Sequence, residues 1–195
     1  MEQARLETLT SLALAAEYRD DATSQHTRRV RALSARIAQA LGLPEDVITH
    51  MQHAVPLHVV GKIGIPDGIL VTPARLTASE REEMKRHTLI GAELLSIGRS
   101  GTLRLARQIA LTHHERWDGN GYPDVLAGSN IPLEGRIVAL AETWDALIHE
   151  RPPGPGCRSG RDRRPSRLPV RSDRCRCVRR CRAVRRIATS PRYYH

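Results

Sequence analysis

An all-α fold is predicted by three features of this 195-residue chain. Apolar residues recur at helical spacing in successive segments. Glycine, proline and capping-box patterns separate those segments. The first 150 residues contain no cysteine, and no run approaches the roughly 18 apolar residues of a membrane-spanning helix. A disulfide scaffold and a membrane bundle are therefore not indicated, and we expect a helical domain in a reducing cytoplasm.

The first two helices are predicted at residues 4–19 and 24–41. We expect residues 1–20 to form a connecting helix. The second helix has His26 in its first turn, where an exposed histidine and a metal ligand are both compatible with the position. Its apolar face consists of Val30, Leu33, Ile37 and Leu41.

A third helix is predicted to begin at Pro44, after the helix-ending Gly42, and to continue to His58. Lys62 follows in the glycine-flanked stretch 61–64. A lysine on a tight turn beside a metal site is placed to hold a phosphate oxygen. An ordinary surface lysine is the alternative, but only two lysines occur against 29 arginines, which favours the functional interpretation.

Two overlapping capping boxes, Thr77 with Glu80 and Ser79 with Glu82, predict a helix over about 79–97. His87 lies on its apolar face, where a core histidine is the alternative to a ligand. A helix over about 101–114 leads into a histidine pair. A last helix, from Pro132 to about 148, carries Glu142 and Asp145.

The most informative stretch is 111–123, LTHHERWDGNGYP. Adjacent helical residues point about 100° apart, so His113 and His114 face one site only near a helix end or at a pair of ions. The glycines that follow end the helix. The stretch therefore predicts two imidazoles at the mouth of a helix bundle, with a loop folded over them. Together with the other three helix-associated histidines, they suit borderline transition metals.

These motifs resemble the HD-GYP subgroup of HD-superfamily metal-dependent phosphohydrolases, over about residues 6–151. The segments that carry the resemblance are AAEYRDDATSQHTRRV, PLHVVGKIGIP, KRHTLIGAELL, HHERWDGNGYP and AETWDALIHERP. The resemblance implies an HD-superfamily helical bundle at 21–152 with a two-metal site of iron or manganese. It also implies hydrolysis of cyclic di-GMP in bacterial two-component signalling.

The resemblance further implies roles for individual residues and for partners. A cyclic dinucleotide is the implied substrate, signalling proteins would bind the GYP loop (Gly119 to Pro123), and the N-terminal helix would support a homodimer. Neither nucleic acid nor a membrane span is expected. Lys62 would be catalytic. The implied metal ligands are His26, His58, His87, His113, His114 and Glu142. The implied substrate contacts are Lys62, Asp118, Gly119, Gly121, Tyr122, Pro123 and Arg151.

The chain departs from the family pattern at several acidic or basic positions. Val59 replaces the aspartate of the His-Asp doublet, which usually bridges the two ions, and Glu142 replaces a ligand aspartate. Ala22 stands where some members have a third-metal carboxylate, and an RPYK-like end is reduced to Arg151. Since valine cannot ligate, we expect a weakened two-metal site. A phosphodiesterase of impaired activity and an inactive nucleotide- or protein-binding relative both remain open.

The region 153–195 has a different composition from the rest. Residues 151–195 hold 15 arginines, two aspartates and all four cysteines, whereas residues 1–150 hold 16 basic and 19 acidic side chains. We expect this aperiodic basic tail to be disordered. It is interpreted as a nucleic-acid or anionic-lipid arm, as a zinc site without the usual spaced cysteine pairs, or as an out-of-frame C-terminus, which we favour.

Overall fold

The computed structural model describes residues 2–20, 25–72, 74–98 and 100–148, and this part of the chain is a bundle of eight α-helices. Two 3₁₀ segments, Val55–Gly64 and Gly128–Asn130, and one isolated antiparallel bridge between Asp118 and Ala127 accompany them. The predicted all-α fold is confirmed. The helices are Glu2–Asp20 (α1), His26–Ala40 (α2), Glu45–Ala54 (α3), Asp67–Leu70 (α4), Ala78–Lys85 (α5), His87–Ser96 (α6), Gly101–Thr112 (α7) and Leu133–Ile148 (α8).

The core is arranged around α7, which packs against α3, α6 and α8. Ala106, Ile109 and Ala110 of α7 are fully buried, as are Met51 of α3 and Val30 of α2. Val30, Leu33 and Ile37 of the predicted α2 face are buried, but the prediction was wrong for Leu41, which follows the helix and is 57% exposed. In the described part of the chain, no helix combines the length and apolar character needed to cross a membrane. Ala22, Arg151 and the tail 153–195 lie outside the described residues.

Two predicted helices were wrong in their extent. The helix expected to reach His58 ends at Ala54, and the chain tightens into the 3₁₀ segment Val55–Gly64. Pro56 explains this, because proline has no N–H to donate and its ring clashes with an α-helical backbone. The single helix expected over 79–97 is divided at Arg86, whose N–H bonds to Glu83 O at 3.1 Å.

The helix boundaries also differ in their capping. Of the two predicted capping boxes, the one at Thr77 forms, because its side chain and that of Glu80 satisfy each other's backbone N–H groups. The second predicted box does not form, since Ser79 already lies within α5 and Glu82 pairs with Lys85. Gly42 has φ +74°, which confirms its predicted role as the residue that ends α2.

The 3₁₀ segment Val55–Gly64 crosses α6 in direct backbone contact. A Cβ at Gly61 would lie 1.9 Å from His87 O and 2.4 Å from Gly91 N. Neither of these atoms can move without displacing α6, so only glycine fits at position 61. The crossing places His58 of the segment and His87 of α6 on adjoining sides of the core.

We predict that Gly61→Ala destabilises the domain strongly. The added methyl group overlaps backbone rather than a flexible side chain, so overpacking should cost about 1–3 kcal/mol or more. Gly68→Ala is the matched control, because a Cβ there meets no atom within 4 Å, and it should change stability by less than about 0.5 kcal/mol. Chemical denaturation of the three proteins measures the difference. Equal stability of all three would contradict the proposed crossing.

Candidate metal centre

The five histidines predicted as ligands converge on one site. His113, the residue directly after α7, is central: its ring centroid lies 5.1 Å from that of His58, 5.4 Å from His87 and 4.1 Å from His114. His26, at the start of α2, lies 6.2 Å from His58. The histidine pair faces one site because α7 ends at Thr112, as predicted from the motif.

Donor atoms of the six predicted ligands form two groups. One contains His87, His113 and His114. The other contains His26, His58 and Glu142. Within each group, one ligand atom per residue lies within 4.8 Å of the others. Three protein ligands are enough to hold a transition-metal ion with positions left for substrate or water. The donor set, imidazole with one carboxylate, fits iron, zinc and related ions.

Each of the three buried histidines donates a hydrogen bond from Nδ1 to a backbone carbonyl. His58 Nδ1 donates to Val55 O at 2.6 Å, and His87 Nδ1 donates to Met84 O at 2.7 Å. His113 Nδ1 lies 3.0 Å from the carbonyls of Ile109 and Ala110. These bonds place a proton on Nδ1 of each ring. In His87 and His113 they leave the Nε2 lone pair directed into the site, the usual arrangement around a ligating imidazole, whereas His58 Nε2 lies 3.0 Å from the Glu142 carboxylate.

The resulting lone pairs face one another. His87 Nε2 and His113 Nε2 are 3.3 Å apart. Burial, and then the neighbouring His114, lower the pKa of His87 to about 3 and that of His113 well below its ordinary value. An extra proton between the two rings is therefore disfavoured at neutral pH. A metal cation bound by both nitrogens satisfies these buried acceptors, so the residues present fit a metal.

The second group is anionic. Glu142 Oε1 lies 3.0 Å from His58 Nε2 and 3.8 Å from His26 Nε2. Burial opposes ionisation of Glu142, but adjacent His113 and the hydrogen bonds to His26 and His58 hold its pKa well below the ordinary range. Burial also lowers the pKa of His26, yet hydrogen bonds to Asp145 and Glu142 outweigh it and raise that pKa to about 9.

Asp145 contacts the Nδ1 side of the His26 ring, opposite the nitrogen that faces Glu142. Its Oδ2 accepts from His26 Nδ1 at 2.8 Å, and its carboxylate also pairs with Arg29. This carboxylate–histidine arrangement fixes the ring orientation and directs Nε2 towards Glu142. Burial would raise the pKa of Asp145, but the hydrogen bonds from His26 and Arg29 lower it well below its usual value. Asp145 was not predicted as a functional residue. Its three-residue spacing from Glu142 on α8 could have indicated it, because residues at that spacing lie on the same side of a helix.

A cavity of about 400 Å³ opens onto both groups. Lys62 and Arg19 contribute the cationic part of its lining, and the stretch 69–71 with Met84 contributes an apolar wall. Val59 also lines the cavity and is 2% exposed. It occupies the position of the expected bridging carboxylate and offers no ligand atom. Lys62 faces the same space as the histidines, and its role in holding a phosphate oxygen stays a prediction.

The GYP loop folds over the histidine pair, as predicted. Tyr122 N donates to His114 O at 3.3 Å, and the two rings stack with centroids 4.7 Å apart. A Cβ at Gly121 would lie 2.4 Å from Arg116 N, so the loop backbone requires glycine there. The buried Glu115, which the sequence did not single out, holds the loop by accepting from the N–H groups of residues 124 and 126.

Most of the predicted substrate contacts in this loop do not reach the cavity. Tyr122 lines it, but Gly119, Gly121 and Pro123 do not. Asp118 is directed elsewhere because its carboxylate is paired with Arg116 and accepts from the N–H of residue 120. Asp118 therefore stabilises the turn in this structure, and its role as a substrate contact stays a prediction.

The described residues form an all-α bundle with two ligand groups, of histidines and one glutamate, at the foot of a cavity, a site that could hold metal ions. A model of the HD domain family matches residues 11–161. The chain belongs to this family, as a member of its HD-GYP branch, as the resemblance implied.

Curated relatives agree with this assignment. The chain is 52% identical over 146 residues to a cyclic di-GMP phosphodiesterase of Thermotoga maritima, covering 75% of this chain and 40% of the relative. It is 48% identical over 152 residues to the cyclic di-GMP phosphodiesterase response regulator RpfG of Xanthomonas campestris, covering 78% and 40%. It is 43% identical over 145 residues to the 3'3'-cGAMP-specific phosphodiesterase 2 of Vibrio cholerae, covering 74% and 28%. The chain thus spans well under half the length of these relatives.

We predict that Asp145→Asn weakens metal binding. Losing the carboxylate that orients His26 should lower metal affinity by about 10–100-fold, the usual effect of removing such a support. Asp46→Asn, at an exposed position on α3, is the control and should bind metal as the unchanged protein does. Manganese titration followed by calorimetry compares the three. Unchanged affinity in Asp145→Asn would show that the His26 ring needs no such support.

Proposed function

We propose that this chain is a metal-dependent phosphodiesterase module that acts on a cyclic dinucleotide, with cyclic di-GMP as its substrate. The observation that carries the proposal is the convergence of five imidazoles and Glu142 at the foot of a cavity that Lys62 also lines. The names of the relatives support a cyclic dinucleotide, since they specify cyclic di-GMP or 3'3'-cGAMP.

We assign the metal to the two three-residue groups, with iron or manganese as the ions. When bound, a pair of such ions supplies a nucleophile from water at neutral pH and neutralises charge on the phosphate. The carbonyl-bound imidazoles hold their Nε2 atoms in place before any ion arrives. This preorganisation reduces the structural change that binding requires.

Substrate binding is assigned to the cavity lining. The Lys62 ammonium is placed to contact a non-bridging phosphate oxygen and to stabilise charge as the phosphodiester is cleaved. The Tyr122 ring and the apolar wall offer surfaces against which a nucleobase packs. Arg19, at the cavity edge, adds positive charge that favours an anionic ligand.

Val59 is the reason to propose impaired activity. In the two groups together Glu142 is the single carboxylate, and it lies beside His26 and His58. The group of His87, His113 and His114 has no anionic ligand of its own. One carboxylate then offsets the charge of two divalent ions, so binding of the second ion should be weak. A pair of ions that is rarely complete gives slow hydrolysis.

A second function, binding without turnover, is favoured by the same residue. With a cavity of about 400 Å³ and a weakened metal pair, the module would bind a cyclic dinucleotide without hydrolysing it. For protein partners we propose the GYP loop together with the preceding Trp117, which is 67% exposed. For a homodimer we propose the outer side of α1, because Ala13 and Ala16 face the core whereas Leu12 and Tyr18 are exposed.

We predict that Val59→Asp raises cyclic di-GMP hydrolysis. An added carboxylate at this position is a new ligand beside both groups, and turnover should rise by at least about tenfold, equivalent to ~1.4 kcal/mol of barrier. Release of linear dinucleotide with added manganese or ferrous iron is the assay, and metal content is measured on the same samples.

Val59→Asn is the matched control, because it adds polarity and similar volume without negative charge. It should raise neither metal content nor turnover as far as aspartate does. Fast hydrolysis by the unchanged protein would show that position 59 matters little. Equal metal content in all three proteins would remove the proposed cause of impairment, even if their rates differed.

A further inference from the structure

Arg19, in the last turn of α1, makes contacts that the proposed function does not explain. Its guanidinium donates to three backbone carbonyls and one carboxylate on a distant part of the chain. Nη1 lies 3.3 Å from Lys62 O and 3.2 Å from Ile63 O. Nη2 lies 3.0 Å from Ile65 O and 2.5 Å from Asp67 Oδ1, and Nε lies 3.1 Å from the same oxygen.

The three carbonyls belong to the end of the 3₁₀ segment Val55–Gly64 and the turn that follows. Helix ends leave their last carbonyls without intrahelical donors. Here Lys62 O accepts from Ile65 N at 3.0 Å, and Arg19 supplies further donors to the same region. Arg19 therefore closes the end of the segment that carries His58 and Lys62, two residues of the candidate site.

The carbonyl contacts matter more than the ion pair. The Asp67 side chain is 73% exposed and that of Arg19 is 33% exposed, so water screens their attraction and the pair contributes little by itself. The planar guanidinium, in contrast, presents five N–H donors in a fixed fork. Lysine has one ammonium nitrogen and cannot bond the separate carbonyls in the same geometry.

We infer that Arg19 is a positioning residue that holds the Lys62 turn in place and thereby joins α1 to the active cavity. The inference rests on the proposed function for the role of Lys62. It follows that α1 is part of the site's architecture, because it packs along the 3₁₀ segment and ends in the residue that caps it. A displacement of the end of α1 is passed to Lys62 through these hydrogen bonds.

The first test is independent of any activity. Backbone hydrogen exchange of residues 61–68 is measured by mass spectrometry in the unchanged chain and in Arg19→Lys. Exchange in this stretch should become at least about threefold faster, because local opening loses its strongest restraint. Arg107→Lys, at an exposed position on α7, and Asp67→Asn, which removes the screened ion pair alone, should leave it unchanged. Unaltered exchange in Arg19→Lys would overturn the inference.

The second test asks whether Arg19 acts through Lys62. Cyclic di-GMP affinity is measured with manganese for the unchanged chain, Arg19→Lys, Lys62→Gln and the double variant, at equal metal content and unfolding midpoint. We expect Arg19→Lys to weaken binding by about tenfold alone and to have no further effect in the Lys62→Gln background, the mark of coupled residues. Equal weakening in both backgrounds would overturn the inference, since Arg19 would then act on the ligand directly.

The two tests separate this inference from the proposed function. If the unchanged chain binds no cyclic di-GMP, the proposed substrate is wrong, and the exchange measurement still decides whether Arg19 holds the Lys62 turn. If the chain binds cyclic di-GMP while exchange and coupling are both unaffected by Arg19→Lys, the proposed function stands and the positioning role is rejected.

Discussion

The close backbone crossing between the 3₁₀ segment Val55–Gly64 and α6 is the constraint on which the candidate site depends. Gly61 meets the His87 carbonyl at a distance that leaves no room for a side chain. Because the crossing is so close, His58 and His87 lie on either side of His113 with ring separations near 5 Å. A wider crossing would separate the imidazoles and leave ordinary buried histidines. Packing therefore determines whether these residues serve as ligands or as core.

Burial of several imidazoles together carries an energetic consequence. Polar nitrogens removed from water destabilise the fold unless they find partners. In this site each Nδ1 of the buried histidines has a carbonyl partner, whereas Nε2 atoms of His87 and His113 face each other. Because burial lowers the pKa of both rings, a proton shared between the two Nε2 atoms is disfavoured at neutral pH. A bound cation satisfies the remaining acceptors, so metal binding and stability of the domain should be linked.

Much of this architecture was predictable from sequence because it depends on local patterns. Helical apolar spacing located the long helices, and the HHERWDGNGYP motif indicated a helix end covered by a loop. The remaining features depend on contacts between residues far apart in the chain. Asp145 and His26 are 119 residues apart, and Arg19 reaches Lys62 across 43 residues. No local pattern reports such pairs, and the 3₁₀ segment after Pro56 shows how one residue alters an otherwise helical stretch.

Direct location of the metal tests the central claim. A crystal of the protein grown with manganese or ferrous iron, with diffraction recorded at the absorption edge of the metal, reveals the ion by its anomalous scattering. The account predicts a peak within bonding distance of His87 Nε2 and His113 Nε2, or of His58 Nε2 and Glu142, with the carbonyl bonds to Nδ1 retained. A peak confined to the exposed His50 and His53, or none at any metal concentration, would contradict it.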